Sequence, residues 1–351
     1  MHMHKVLSLL LSRQITRCLV IGYILMASGQ IFGFSQKKTV VSVNCDKAEA
    51  FNLDSPNMIS FDIGITEPVS DVLFHENKII LRFKNSITAY DLEKGDSLFS
   101  YSRKGRKDDE FTSLSNAWLV GDVLELYDYS ALKILRFDVS NGDFLNCLNW
   151  NDLDRKHMFS SLRWDESSRR FIGNRVFSVS PLPELAEYDV SHHFVKEVAS
   201  PLKRSGFILS SSPIVVSESG RLLYHQPFHN SVSRIEGRKT IQEYSIDFGK
   251  YNLPKSISEE EGGKAMRLWI ESKEKYAVAM EFWETRKAFY INYVLSNKSY
   301  MVKYDRIKGS SNVYYFTPRG GKIAFNQGIM YIITQNEKGT TIYKIPEANL
   351  R

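Results

Sequence analysis

Tyr90-Asp-Leu-Glu-Lys-Gly-Asp96 and Phe137-Asp-Val-Ser-Asn-Gly-Asp143 share one pattern, an aromatic residue, Asp, three residues and then Gly-Asp, and sit 47 residues apart. A short hydrophobic run precedes each, Ile79 to Phe83 in the first case and Val123 to Tyr127 in the second. The pairing reads as strand, strand, turn, because Asp and Gly favour tight turns and the flanking residues are β-branched and aromatic. Several strands per unit at a period of roughly 40 to 50 residues are the signature of propeller blades.

Outward from these two units, similar runs recur between turn signals. Val72-Leu-Phe74, Lys78 to Phe83 and Ser86 to Tyr90 read as strands, and Glu76-Asn77, Ser217 to Gly220 and Arg319 to Gly321 as turns. Looser units cover Leu162 to Leu202, Ile214 to Phe248, Tyr276 to Tyr304 and Tyr314 to Ile345. Six four-stranded antiparallel blades of about 50 residues each would fill residues 36–351 around a central channel, giving an all-β, six-bladed β-propeller. The ring is expected to close through an N-terminal strand, near Val40 to Val43 or Met58 to Ile63, that joins the last blade and so removes an exposed edge. Ser256 to Ser272 reads as a loop with one or two helical turns, followed by strands whose Tyr276, Val278, Met280 and Phe282 alternate.

Hydrophobic residues make up 43% and charged residues 25% of the 351, a globular balance. Residues 1–35 hold no acid, carry Lys5, Arg13 and Arg17 early, and then turn apolar from Cys18 to Ala27, the order of a secretory signal. Small residues allow cleavage before Gln30 or before Gln36, and we favour Gln36. The apolar stretch from Cys18 to Phe34 is diluted by Gly22, Ser28, Gln30 and Gly33 and falls short of the roughly 20 residues of a spanning helix. Cys18 heads that stretch rather than following it, which argues against a lipid anchor. The remainder, residues 36–351, is expected to be one domain, periplasmic or secreted, with no later membrane span. Without the leader the formal charge drops from +6 to about +3, so a polyanion-binding surface, and nucleic acid as partner, are not expected. Cys45 and Cys147 remain, and spacing alone leaves their pairing open.

Two stretches carry a resemblance. Tyr101-Ser-Arg-Lys-Gly-Arg-Lys-Asp-Asp-Glu-Phe111, and Leu222 to Gly237 followed by Tyr244 to Pro254, resemble the exported six-bladed β-propeller proteins of Bacteroidota, relatives of NHL and TolB-like propellers. The resemblance covers nearly all of residues 36–351. Where that family usually reads Gly-x-Gly-Pro-Gly-Glu-Phe or Tyr, this chain keeps Gly105, Glu110 and Phe111 but has Lys107, Asp108 and Asp109 in place of Gly-Pro-Gly. The resemblance implies architecture and not chemistry.

No Gly-x-Ser-x-Gly elbow, phosphate loop or Cys-x-x-Cys pair is present. His225 and His229 are four apart, but Pro227 between them removes the helix that such metal ligation needs, and His192-His193 reads as solvated. Neither a metal nor a cofactor is expected. Asp128, Asp138, Asp165 and Glu281 could face one another across a channel as acid and base, and Trp118, Trp164, Trp269 or Trp283 could line its mouth, although packing between blades accounts for most aromatics. We expect a monomeric propeller that binds a glycan, peptide or protein at a channel mouth, with His225, His229, Arg267 and Trp269 as candidate contacts and the loop from Leu253 to Arg267 beside them. The alternative is a hydrolase or lyase acting on polysaccharide through axial carboxylate or His residues.

Overall fold

Hairpins with short turns build most of residues 38–53, 59–149, 159–175, 185–198, 213–226, 229–260, 262–272, 274–317 and 321–350, which are the residues described by the computed structural model. The expected leader, residues 1–35, lies outside them, and Thr39–Arg351 form one compact unit. Three strands come first: β1 (Thr39–Ser42), β2 (Glu49–Asn52) and β3 (Ile59–Ile63). Blade one then comprises β4 (Asp71–His75), β5 (Lys78–Arg82), β6 (Ile87–Asp91) and β7 (Ser97–Tyr101). Blade two is β8 (Leu114–Val120), β9 (Val123–Asp128), β10 (Lys133–Asp138) and β11 (Phe144–Asn149). Blade three is β12 (Phe159–Asp165), β13 (Arg170–Arg175), β14 (Leu185–Tyr188) and β15 (Phe194–Val198). In blade four follow β16 (Ile214–Val216), β17 (Leu222–Gln226), β18 (Ser231–Glu236) and β19 (Lys239–Asp247). Two helices, α1 (Lys255–Ser258) and α2 (Gly262–Ser272), lead into blade five, which is β20 (Val278–Glu284), β21 (Ala288–Leu295), β22 (Lys298–Asp305) and β23 (Ser310–Thr317). Blade six takes β24 (Lys322–Asn326), β25 (Ile329–Asn336) and β26 (Gly339–Pro346) from the end of the chain and β3 from its beginning.

The six sheets form a ring, a six-bladed β-propeller, with the first strand of every blade on the axis. Its core is divided among the blade interfaces. Ile80 and Leu135 join blades one and two, Trp118 and Phe171 two and three, and Leu185 and Tyr224 three and four. Tyr244 and Phe289 join four and five, Tyr290 and Met330 five and six, and Ile79 and Ile333 six and one. Each sheet therefore buries both faces against neighbours, which explains why strands such as β21 read as nearly unbroken apolar runs rather than alternating ones.

The N-terminal segment closes the ring differently from expectation. Of the two candidate strands, β3 does join the last blade, antiparallel to β26. Val40 to Val43 does not: β1 pairs in parallel with β19 of blade four, and β2 in parallel with β23 of blade five. β1, β2 and β3 thus lie at the outer edges of three successive blades, and β1 and β2 cover two edges that would otherwise be unpaired.

Three further expectations need correction. Tyr314, taken above as the start of the last unit, lies in the outer strand of blade five. The segment from Ser256 to Ser272 holds more helix than one or two turns, because α2 alone has 11 residues, with Lys264, Arg267, Ile270 and Glu271 exposed and Leu268 and Trp269 half-buried. His192 is not solvated. Its side chain is fully enclosed, its Nε2 lies 2.9 Å from Glu125 Oε2 in the neighbouring blade, and its ring stacks on Phe171 at 4.7 Å. His193 is the exposed member of the pair.

The aromatic-Asp turn recurs more widely than the two strict matches indicate. Asp91, Asp138, Asp189 and Asp305, each after an aromatic residue at the end of a third strand, accept backbone N–H bonds through Oδ1 from residues two to four positions on. In two of these turns the glycine is needed twice over. Gly95 and Gly142 have φ of +76° and +79°, and a Cβ there would lie 3.0 Å from the Phe61 ring and 2.5 Å from the Phe99 ring, on the outer strand of the preceding blade.

Candidate functional site

The inner strands enclose an axial cavity of about 730 Å³ to which all six blades contribute. Residues from both faces of the inner strands line it. Asp71 and Phe74 enter from β4, Trp118 from β8, Arg163 and Trp164 from β12, and Val215 from β16; Glu281 and Trp283 enter from β20, and Lys322 and Phe325 from β24. Toward the ends of these strands Glu166, Glu218 and Arg286 line the same space, and both Glu218 and Arg286 are exposed.

Two groups of charge sit in it. Lys322 Nζ bonds Glu281 Oε1 directly, joining blades five and six, and each side chain keeps about a fifth of its surface open, 17% and 20%. Asp71 is 5% exposed; its Oδ1 accepts the neighbouring Val72 N–H at 3.1 Å, and its Oδ2 meets no hydrogen-bond donor. Its carboxylate acts on the charges of Arg82 and Arg163. Arg82 donates to Leu114 O at 2.9 Å and Arg163 to Leu162 O at 2.9 Å. Burial pushes both guanidinium groups below their ordinary value while Asp71 opposes the shift. Arg163 nevertheless presents part of its surface to the cavity.

Aromatic surface lies beside the charge. Trp164 meets Phe171 edge to face at 5.0 Å, and Trp283 leans on Phe325 at 5.4 Å. Both indoles are half-buried, so each is fixed by a neighbour while part of it remains open to the cavity. Trp118 also borders the cavity but is only 1% exposed, and its Nε1 donates to Glu125 at 2.6 Å. Three of the four tryptophans considered for a channel mouth therefore line the axis, Trp269 excepted.

Beside the cavity stands a buried clamp between blades four and five. Glu284, whose side chain is 1% exposed, accepts from Arg221 Nη2 at 2.5 and 2.6 Å and from Tyr244 OH at 2.7 Å, with Arg306 Nη1 at 3.2 Å. Burial and the adjacent carboxylate push the Tyr244 hydroxyl well above the ordinary tyrosine range, so it stays a donor. A second clamp at Glu125 ties Trp118, His192 and Arg136 across blades two and three. These carboxylates position blades and do not face the cavity chemistry, apart from Glu284 at its wall.

The contacts expected from sequence lie elsewhere. His225, on β17, is enclosed by protein, 2% exposed, and packs against Phe282 at 5.9 Å; neither ring nitrogen has a hydrogen-bond partner, and burial lowers its pKa to about 4. His229 follows β17 in the turn before β18 and is half-buried. Arg267 and Trp269 are on α2. None of the four lines the axial cavity. Of the four carboxylates considered as acid and base, Glu281 alone does; Asp128 is buried beneath backbone N–H groups of Thr112, Ser113 and Ala131, and Asp138 and Asp165 serve turns. Asp71, Arg163 and Lys322 had no sequence signal of their own. Their only mark is their place on the first strand of a blade, which blade registration would have revealed. Among the described residues no group of three or more His, Cys, Asp or Glu is set to hold a metal ion, no disulfide joins Cys45 to Cys147, and no helix is long and apolar enough to cross a membrane.

Residues 62–350 match the family described as a domain of unknown function, DUF4934. No curated protein matches the chain. Among solved structures, a protein described as exported, from Bacteroides fragilis, superposes with a TM-score of 0.70 at 12% identity over 87% of this chain and 99% of that one. A member of the DUF4221 family from Bacteroides vulgatus does so with a TM-score of 0.54 at 9% identity, over 82% of this chain and 96% of that one. At such identities the likeness concerns the fold.

Proposed function

The chain belongs to the DUF4934 family, and from that premise and the geometry above we propose that it is an exported binding protein holding a small ligand in the axial cavity of its propeller. The observation that carries this reading is the convergence of all six inner strands on one space of about 730 Å³, in the size range of small-molecule sites, with half-buried indoles beside charged groups. The site lies on the axis rather than at the turn and helix expected from sequence. Export is supported by the composition of residues 1–35 and by the description of the B. fragilis protein. Binding is favoured over hydrolysis or elimination because Glu281 is joined to Lys322 and Asp71 interacts with two arginines, whereas glycosidase chemistry needs a carboxyl pair straddling the bond that breaks.

A mixed library of oligosaccharides and short peptides, screened by thermal shift on the wild type and on Trp283→Ala, tests the reading. A compound that raises the wild-type melting temperature and loses that effect in the variant supports it, since a ligand stabilises the state it binds. Shifts of equal size in both proteins would place binding off the axis. Export is tested by N-terminal sequencing of the protein recovered from outside the cytoplasm, with Gln36 expected as first residue and an intact Met1 as the contrary result.

A further inference from the structure

We propose that the axial ligand is a short apolar peptide carrying one basic residue, its amino groups at Glu166 and Glu218, its carboxylate at Arg286 and its side chains against Trp164 and Trp283; this rests on the axial cavity being the binding site. The argument starts at the mouth of that cavity. Glu166, Glu218, Arg286 and Gln327 lie in the connections between the first and second strands of blades three, four, five and six. Equivalent connections of successive blades gather at one end of a ring, and all four residues line the cavity and are exposed.

The charges at this mouth await an answer. Among the described residues no cation stands at ion-pair distance from the Glu166 or Glu218 carboxylate, and no carboxylate stands so close to the Arg286 guanidinium. The Glu218 carboxylate is fixed by the Arg286 backbone N–H, which donates to its Oε2 at 2.8 Å. Farther in, each charged lining residue already interacts with a group of opposite sign: Asp71 with Arg163, Glu281 with Lys322, and Glu284 with Arg221. The charges left for a ligand are therefore those of the mouth.

Two carboxylates and one guanidinium select a ligand with the converse set. A peptide with one lysine has it, two ammonium groups and one carboxylate. A neutral saccharide would leave all three mouth charges unanswered, and an anionic one would bring its charge to two carboxylates and a single cation. A peptide backbone also suits the amide side chains of Asn326 and Gln327, which line the cavity and can each bond an N–H and a C=O. The half-buried indoles of Trp164 and Trp283 offer the apolar surface for its side chains. Each is braced by a second ring and so is ordered before the ligand arrives, which lowers the entropy lost on binding.

The test is equilibrium dialysis of the full chain, read by mass spectrometry, against three pools of tripeptides whose first two residues are Leu, Phe, Val or Tyr. One pool ends in Lys, one ends in Glu, and the third ends in Leu with both termini blocked; maltotriose and cellotriose are the neutral saccharides. The Lys pool is expected to bind best, and Trp283→Ala to weaken its tightest member about tenfold. Glu166→Gln and Glu218→Gln are each expected to weaken it about threefold, the size of an exposed ion pair. Arg286→Gln should do the same to the free-acid peptide and leave its C-terminal amide unchanged. Melting curves of the variants check that the fold is kept. A Glu-ended, blocked or saccharide probe that binds best and still depends on Trp283 would overturn the basic peptide while leaving the axial site standing. Lys peptides that depend on Trp283 but ignore all three mouth charges would do likewise. Binding indifferent to Trp283, or no binding by any probe, would overturn the proposal together with the axial site.

Discussion

His225 shows how far a residue's environment can depart from its sequence context. Four positions from His229 and near Pro227, it reads as a polar turn residue, yet it lies 2% exposed behind Phe282 with both ring nitrogens unpartnered. Its burial follows from blade registration, a long-range property that a local window does not contain. The consequence is a pH dependence. The unfolded chain binds a proton on this ring near its ordinary 6.5, whereas the folded protein resists protonation until about 4. The unfolded state therefore holds more protons between these values, and stability falls as pH drops through that window, by roughly 3 kcal/mol at most. Denaturant titrations at pH 7 and pH 4.5 should show a smaller loss for His225→Leu than for the wild type; equal losses would contradict the assignment. The turn glycines are the opposite case, since Gly95 and Gly142 announce themselves in sequence. Both Gly142 and Gly220 have φ of +79°, but only Gly142 also lies against a ring, Phe99. Gly220→Ala should cost about 1 kcal/mol for the left-handed backbone alone, and Gly142→Ala at least ~1 kcal/mol more. Equal costs in chemical denaturation would mean that the ring contact plays no part.

At the scale of elements, the hairpins were legible wherever Asp and Gly punctuate apolar runs, and less so where that punctuation changes. The Tyr188-Asp189 turn is one residue shorter and puts His192, at φ +65°, in the left-handed position; Tyr304-Asp305 keeps Gly309 but follows it with Ser310. The parallel pairing of β1 and β2 was not legible, because an edge strand added from outside carries no turn to mark its partner. It yields a graded prediction. Removing residues 1–58 takes β1 and β2 but leaves β3 in blade six, and should lower the melting temperature while keeping one cooperative transition. Removing residues 1–64 takes β3 as well, opens the ring and should abolish that transition; an unchanged melting curve would contradict the closure described here. The clamp at Glu284 acts on the same scale. Glu284→Gln deprives Arg221 and Arg306 of their shared carboxylate and should destabilise by about 2 kcal/mol in denaturant unfolding, less than for a fully buried pair because both arginine side chains remain about a third exposed, 32% and 35%. No measurable change would mean that Glu243, which also holds Arg221 at 2.9 Å, suffices.

For the whole molecule, the ring was readable from a period, and the chemistry at its axis was not. Periodicity tells where blades begin, but it does not say which residues of each first strand reach the axis, so Asp71, Arg163 and Lys322 could not be assigned to one cavity before the strands were in register. The axial position of Trp164 and Trp283 follows from the same registration. A ring of six blades makes one shared space of residues that are otherwise scattered from position 71 to position 328, and the function proposed here belongs to that space rather than to any blade. The most direct measurement is a crystal structure of the protein grown with the tightest-binding compound of the library. Density on the axis, against Trp164 and Trp283, is the predicted result. Density at α2, on the outer strands or at the rim, with the axial cavity holding water alone, would contradict it.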